Sequence, residues 1–377
     1  MTTTDRPGIG VMREEIATIP GVIADQVALL RPRLREIARE AAADHVQDVV
    51  LTGCGDSHFA GVATRLAFAR DAGVRCAATE AMELARYDIR YVPALPPPLL
   101  VAVSYSGEVG RTIEAAAAAD RFGWRTVALT GSAEGRLATV VREAVLMRVP
   151  TLGYSPGTST YIAMVTAMLV LAAELARARG RSDHADALDA GLAAAPELAA
   201  RTLDAAEEPA RRAAELIAAL PVSTFLGAGP SRASAAFGAA KLFEGPQRYG
   251  VVQELEEWAH EQYFVSGPTT PVIVVAPAGA SRDRAAELLA EMAFIGVPAV
   301  LVSDQVDDRA AELAAIRLPF APGLDEALSP LLSCLPLAQV GFFVSEALVA
   351  RSYGFPSEAH EREHYETIHR DTRGEPA

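Results

Sequence analysis

The sequence predicts an α/β protein built from two parallel sheets, each flanked by helices in three layers (αβα). Three observations predict it. Short β-branched runs alternate with stretches of helical period, which is the signature of βαβ units. The alternation runs once, stops at a long alanine-rich helix, and starts again. A glycine-serine turn occupies the same place in both halves.

Taken in order, the first half carries strand-like runs DVVLTGCG (48–55), LLVAVSYSG (99–107) and TVALTG (126–131). Each ends at a turn signal, and GRTIEAAAAADRFG (110–123) is a helix between two of them. Polar, alanine-rich helix follows over roughly 171–220. The second half carries STFLGAG (223–229), PVIVVAP (271–277) and PAVLVSD (298–304). The expected division is a helical lead-in at 1–35, a first domain at 36–205, a second at 206–350 and a tail at 351–377.

The 377 residues are half apolar, enough for about two or three domains of ordinary size. Net charge is −14 and pI ≈ 5.0. This argues against a nucleic-acid partner, because neutralising phosphates takes a basic surface. Cys54, Cys76 and Cys334 are odd in number and far apart, so neither a disulfide framework nor a thiolate metal site is expected. A reducing, cytoplasmic setting fits. The first fifteen residues contain no apolar signal-peptide core. Tyr161 to Ala173 is too short to span a bilayer, and Leu328 to Ala350 is interrupted by Pro330, Pro336, Gln339 and Glu346. Both are expected as buried helices, with no membrane partner.

The two halves look like copies. Gly53-Cys54-Gly55-Asp56-Ser57 and Gly227-Ala-Gly229-Pro-Ser231 lie 174 residues apart, each between a strand and a helix of small residues. Glycines that merely turn a strand into a helix account for one loop. They do not account for serine at the same offset twice. Such a turn aims free N–H groups from a helix N-terminus, and serine adds a hydroxyl donor. Two further hydroxyl-rich turns follow: Ser104-Tyr105-Ser106-Gly107-Glu108 with Thr112 beyond, and Ser155-Pro-Gly157-Thr158-Ser159-Thr160. Ligands of open α/β sheets bind at strand carboxyl ends. His58 stands where a dinucleotide fingerprint needs glycine, and no Gly-Lys-Ser/Thr follows as in a P-loop. Hydroxyls and amides without a lysine suit a small oxyanion on a sugar. Helix capping accounts for some of these serines.

With these turns, Lys241-Leu-Phe-Glu244 and Glu257-Trp-Ala-His260 in order, the chain resembles the double-SIS (sugar isomerase) family, and within it the isomerase half of glucosamine-6-phosphate synthase and the fructoselysine-6-phosphate deglycases. The resemblance runs from Met12-Arg-Glu-Glu15-Ile16 to about Phe355. It implies two tandem SIS domains. It implies that Glu244 moves a proton between C1 and C2, and that His260, sixteen residues later, opens the sugar ring. It implies a homodimer, because the histidine enters from the other subunit. Ser57, Ser104, Ser106 and Ser159 match hydroxyls that hold phosphate; Cys54, Gly55, Asp56, Tyr105, Glu108, Thr112, Arg232, Glu257 and His369 complete the candidate substrate contacts. No cofactor or metal is implied.

The residues themselves support the chemistry. Lys241 and Glu244 are three apart and share a helix face. Aldose–ketose interconversion needs a base that reaches both carbons and a donor to the carbonyl oxygen, roles suited to carboxylate and imidazole. The pair alone favours a solvated helix pair; the doubled turn and placed histidine reverse this in favour of the catalytic reading. The pattern also departs from the family. Asp56 stands where relatives often carry threonine, Tyr105 replaces a common glutamine, and Val109 a common threonine. A carboxylate at 56 repels a dianion unless paired, with Arg111 or Arg232 as candidates. The anionic group therefore stays open between phosphate, sulfonate and none. The family's near-terminal lysine has no counterpart after Phe355, and no N-terminal cysteine nucleophile is present, so glutamine-dependent amination is not expected.

His360-Glu361-Arg362-Glu363-His364 is formally the zinc-protease pattern H-E-x-x-H. Only thirteen residues follow His364, and a zinc site needs a third ligand within a shaped cleft. His360, His364, His369 and Arg370 are expected in a tail over the sugar site. The leading expectation is a cytoplasmic aldose–ketose isomerase. An amino-sugar deaminase or deglycase would use the same two groups and release an amine. A non-catalytic SIS sensor would not need Glu244 and His260 together.

Overall fold

The computed structural model describes residues 9–91, 95–305, 309–350, 352–364 and 366. Its strands form two five-stranded sheets, parallel throughout. The first holds β1 (Asp48–Gly53), β2 (Arg75–Glu80), β3 (Leu99–Val103), β4 (Arg125–Thr130) and β5 (Glu143–Leu146). The second holds β6 (Val222–Gly227), β7 (Tyr249–Glu254), β8 (Val272–Val275), β9 (Ala299–Ser303) and β10 (Ile316–Pro319). Strand order is β2-β1-β3-β4-β5 in one and β7-β6-β8-β9-β10 in the other, so the two are wound alike.

The six strands expected from sequence are the buried ones. β1, β3, β4, β8 and β9 are buried along nearly their whole length, which is why they are continuous apolar runs. β2, β5, β7 and β10 were not expected. They alternate buried and exposed positions or carry charge, as in RCAATE and YGVVQE, and are defined by pairing with a neighbour. β2, β5, β7 and β10 are sheet edges.

The chain forms two compact units in space. One comprises Val22–Val149, Thr160–Ala193 and Phe355–Ala377 and contains β1–β5. The other comprises Met1–Gly21, Pro150–Ser159 and Ala194–Gly354 and contains β6–β10. Helix Gly10–Ala43 and helix Ser182–Ala218 each contribute residues to both.

The two apolar stretches are helical, the first longer and the second shorter than its apolar run in the sequence. Ser159–Ala178 has 20 residues with mean hydropathy 1.7, and Pro330–Ala347 has 18 with 1.3; both are long and apolar enough to cross a membrane. They are 94% and 89% buried within the fold. A helix covered on all sides is apolar all round, which accounts for their composition.

The matched turns have a matched cause. A Cβ on Gly53 would lie 2.6 Å from Ser57 Cβ and 3.0 Å from the Val103 carbonyl oxygen. On Gly227 it would lie 2.4 Å from the Ser231 carbonyl oxygen. The next glycine of each turn, Gly55 and Gly229, has φ of +56° and +54°, where side chains are strained. Each strand thus turns so tightly into its helix that the serine's backbone or Cβ touches the first glycine. We expect Gly53→Ala and Gly227→Ala each to lower the unfolding free energy by about 1–3 kcal/mol through overpacking. Urea midpoints measure this, and unchanged midpoints would remove the close approach as the cause.

Candidate functional site

In the β1–β5 sheet, β1 and β3 are neighbours at the point where strand order reverses. The chain leaves β1 through 53–57 and β3 through 104–108, so both hydroxyl turns sit at the carboxyl edge of this switch point. Ser104 Oγ accepts from Gly107 N at 3.1 Å, and Ser106 Oγ accepts from Glu108 N at 3.2 Å. An oxygen that accepts from an amide keeps its own proton to donate. The two hydroxyls lie 3.4 Å apart. Ser57, at the start of helix Asp56–Leu66, places Oγ 3.3 Å from Met164 Sδ, a weak acceptor.

The flanking candidates have structural duties. Tyr105 accepts at its hydroxyl from Val149 N at 3.1 Å. Glu108 pairs with Arg136 at 2.8 Å and accepts from the Arg136 amide. Thr112 donates to Cys54 Sγ at 3.7 Å. Burial pushes the Cys54 thiol up, against the hydrogen bond from Thr112 and the charge of Arg111. A thiol so raised is not poised as a thiolate nucleophile. Arg111, one of the partners expected for Asp56, forms an ion pair with Glu114 one turn along its own helix.

The second group lies in the unit of β6–β10. Lys241, on helix Ser231–Glu244, is completely buried. Its Nζ donates to the Gly157 carbonyl at 2.8 Å and to Glu244 Oε2 at 2.6 Å, and lies 4.8 Å from the centre of the Phe237 ring. Glu244 is 25% exposed, so the pair is not the solvated helix pair that spacing alone allowed. Gly341, on helix Leu335–Ala347, lets that helix close on Lys241: a Cβ there would sit 2.7 Å from Lys241 Cβ. The Tyr353 amide donates to the Glu244 carbonyl at 2.6 Å, and the Tyr353 ring lies 5.0 Å from Tyr154.

The third hydroxyl turn, at 155–160, behaves differently from the expectation. Ser155 Oγ and Thr158 Oγ1 both donate to Glu15 Oε2, at 2.6 and 3.4 Å. Ser159 begins the long buried helix; it is itself buried, and its hydroxyl has no hydrogen-bond partner among the described residues.

His260 closes the short helix Glu257–His260. Trp258 anchors that helix in the core beside Leu255 and Val274, which leaves His260 outside. Its side chain is 67% exposed and lies 3.4 Å from Glu256, which is held by Arg284 at 2.6 Å. Glu257 and Arg232 are exposed as well. In the tail, Ser357 caps helix Glu358–Glu363. His360 Nδ1 lies 3.2 Å from Ser357 Oγ, and the His364 ring packs on Phe355 at 5.2 Å. His369 and Arg370 lie outside the described residues. Among the described residues no three His, Cys, Asp or Glu side chains are gathered as metal ligands. A cavity of 320 Å³ in the β6–β10 unit, lined by Ile16, Leu203, Gln339, Phe342 and Phe343 among others, includes none of the candidate residues.

Residues 45–174, which span β1–β5, match the SIS domain family. This segment is a SIS domain. The β6–β10 sheet repeats its strand order and its glycine-serine turn, giving two SIS folds in tandem. Among curated relatives, the isomerizing glutamine–fructose-6-phosphate aminotransferase of Thermococcus kodakarensis is 26% identical over 338 residues, which cover 89% of this chain and 54% of that one. The chain spans about half the length of the curated relatives it matches. Two solved structures show the same fold. One is the C-terminal domain of glucosamine-fructose-6-phosphate aminotransferase from Francisella tularensis, with TM-score 0.82 at 18% identity, covering 94% of this chain and 100% of that one. The other is tagatose-6-phosphate ketose/aldose isomerase from Escherichia coli, with TM-score 0.69 at 17% identity, covering 90% and 93%.

One signal of the second SIS fold was available in the sequence and passed over. Lys241 is the sole lysine of the chain: 33 of its 34 basic residues are arginine. Arginine is a broad planar fork, whereas lysine is a compact point charge. The space bounded by Gly157, Glu244, Phe237 and Gly341 admits only the latter. We expect Lys241→Arg to cost about 1–3 kcal/mol of stability by overpacking. Denaturation at wild-type midpoint would show that the space is roomier than the contacts imply.

Proposed function

We propose that the chain is an aldose–ketose isomerase acting on a phosphorylated or otherwise anionic sugar through a cis-enediol. The observation that carries this is the Lys241–Glu244 pair: a partly open carboxylate oriented by a wholly buried ammonium. Glu244 takes the proton from one sugar carbon and returns it to the next. His260 protonates and releases the ring oxygen, which its exposure permits. Ser57, Ser104 and Ser106 donate to the anionic group, helped by the N–H groups of their turns. Three free cysteines fit a reducing, cytoplasmic setting.

We further propose a homodimer in which His260 serves the partner's site. Beside His260, Phe264 and Val265 are 78% and 76% exposed, and the edge strand β7 exposes Tyr249 against Phe243. Exposed apolar side chains of this kind are consistent with an interaction surface.

Glu244→Gln is expected to lower exchange of the sugar C2 proton with deuterated solvent by on the order of 10²–10⁴-fold, with ligand binding retained. Wild-type exchange in that variant would sink the assignment. His260→Ala should lose far more activity on cyclic substrate than on an open-chain analogue. Mixing the two inactive variants should restore activity if the dimer shares its sites; mixed dimers that stay inactive would place each site within one chain. A deaminase or deglycase of the same fold would reveal itself by releasing an amine, and a sensor by binding without turnover.

A further inference from the structure

Glu15 is a buried carboxylate that the proposed mechanism does not use. It lies on helix Gly10–Ala43, far in sequence from every catalytic candidate. Its Oε2 accepts from Ser155 and Thr158, the residues on either side of Pro156-Gly157. The carbonyl of that Gly157 accepts from Lys241 Nζ, as Glu244 does. A continuous chain of contacts thus runs from Glu15 through the 155–158 turn to Lys241 and on to Glu244, all within one unit. Thr158 and Lys241 have no exposed surface, so their side chains depend on protein partners.

We propose that Glu15 is a positioning residue: through Ser155 and Thr158 it holds the Gly157 carbonyl where it fixes the Lys241 ammonium against Glu244. This rests on Glu244 being the base. Two physical arguments support it. The first is geometric. Without its anchor the turn can relax, the carbonyl moves, and the ammonium that orients Glu244 moves with it. The second is electrostatic. When Glu244 accepts a proton from substrate it becomes neutral, and the wholly buried ammonium has one fewer opposite charge beside it at that moment. A buried charge is costly, so a second carboxylate attracted to it keeps the proton-transferred state accessible. Glu15 and Lys241 do attract one another, although burial outweighs this and the two hydroxyl hydrogen bonds and pushes the Glu15 carboxyl up.

The test uses Glu15→Gln, Glu15→Ala and the double variant Ser155→Ala/Thr158→Val, which leaves Glu15 in place. In the full chain, kcat should fall on the order of a hundredfold in Glu15→Ala and in the double variant, with KM changed little, because a misplaced base costs rate rather than binding. Glu15→Gln keeps an acceptor oxygen for the turn and should recover part of kcat. A second readout needs no activity. Since Lys241 is the sole lysine, ¹³C-lysine labels a single ε-carbon and an acylating reagent finds a single side-chain amine. The ε-carbon shift should move, and acylation should quicken, in Glu15→Ala and in the double variant. Wild-type kcat with an unmoved ε-carbon signal would overturn the proposal. So would lowered thermal stability with kcat per folded molecule unchanged, which is what a purely structural glutamate gives. If Glu15→Ala does not fold, the double variant decides. If the wild-type chain proves not to be an isomerase, the proposed function fails while the ε-carbon signal still tests the link from Glu15 to Lys241.

Discussion

The placement of a single ammonium group organises the second SIS fold. Lys241 is wholly buried, and an ionised group inside a protein persists only where charge and hydrogen-bond partners surround it. Those partners come from distant parts of the chain: the Gly157 carbonyl from a turn, Glu244 from its own helix, and Glu15, through the turn, from the first helix. Helix Leu335–Ala347 closes over it at Gly341. The long helix Ser159–Ala178 begins directly after the turn so held. Moving the ammonium would disturb each of these elements.

The first SIS fold is organised by a steric constraint instead. Gly53 touches Ser57 across the turn after β1, and the Val103 carbonyl at the end of β3 lies within the same contact. The hydroxyl turns therefore meet at the switch point of the sheet. There, Ser104 and Ser106 accept from turn amides and lie within hydrogen-bond reach of each other. The second fold keeps the glycine constraint at Gly227, with Ser231 buried where Ser57 is only half-buried. The repeat thus preserves a backbone shape in which the first glycine of each turn lies against the serine.

Much of the fold was legible in the primary structure because central parallel strands are buried on both faces and must be apolar runs. The edge strands were not legible. β2 reads RCAATE and β7 reads YGVVQE, and only pairing with β1 and β6 defines them. Of the candidate site, Glu244 and Lys241 were found from spacing and resemblance, and the hydroxyl turns from composition. Arg111 also pairs with Glu114 one turn along its own helix, a local pairing that the i, i+3 spacing contained.

Sequence by itself determined the two parallel sheets, the duplicated glycine turn and the residue types able to move a proton between neighbouring carbons. These follow from local periodicity and sterics, which neighbouring residues carry. Tertiary structure alone decided what each side chain faces. It buried Lys241 and left His260 outside on a helix anchored by Trp258. It turned Ser155 and Thr158 away from the role of anion donors and onto Glu15, 140 and 143 residues away in the chain. The physical reason is that hydrogen bonding and desolvation depend on which groups are brought within about 3 Å by packing, and that proximity is set by the fold rather than by adjacency in the chain.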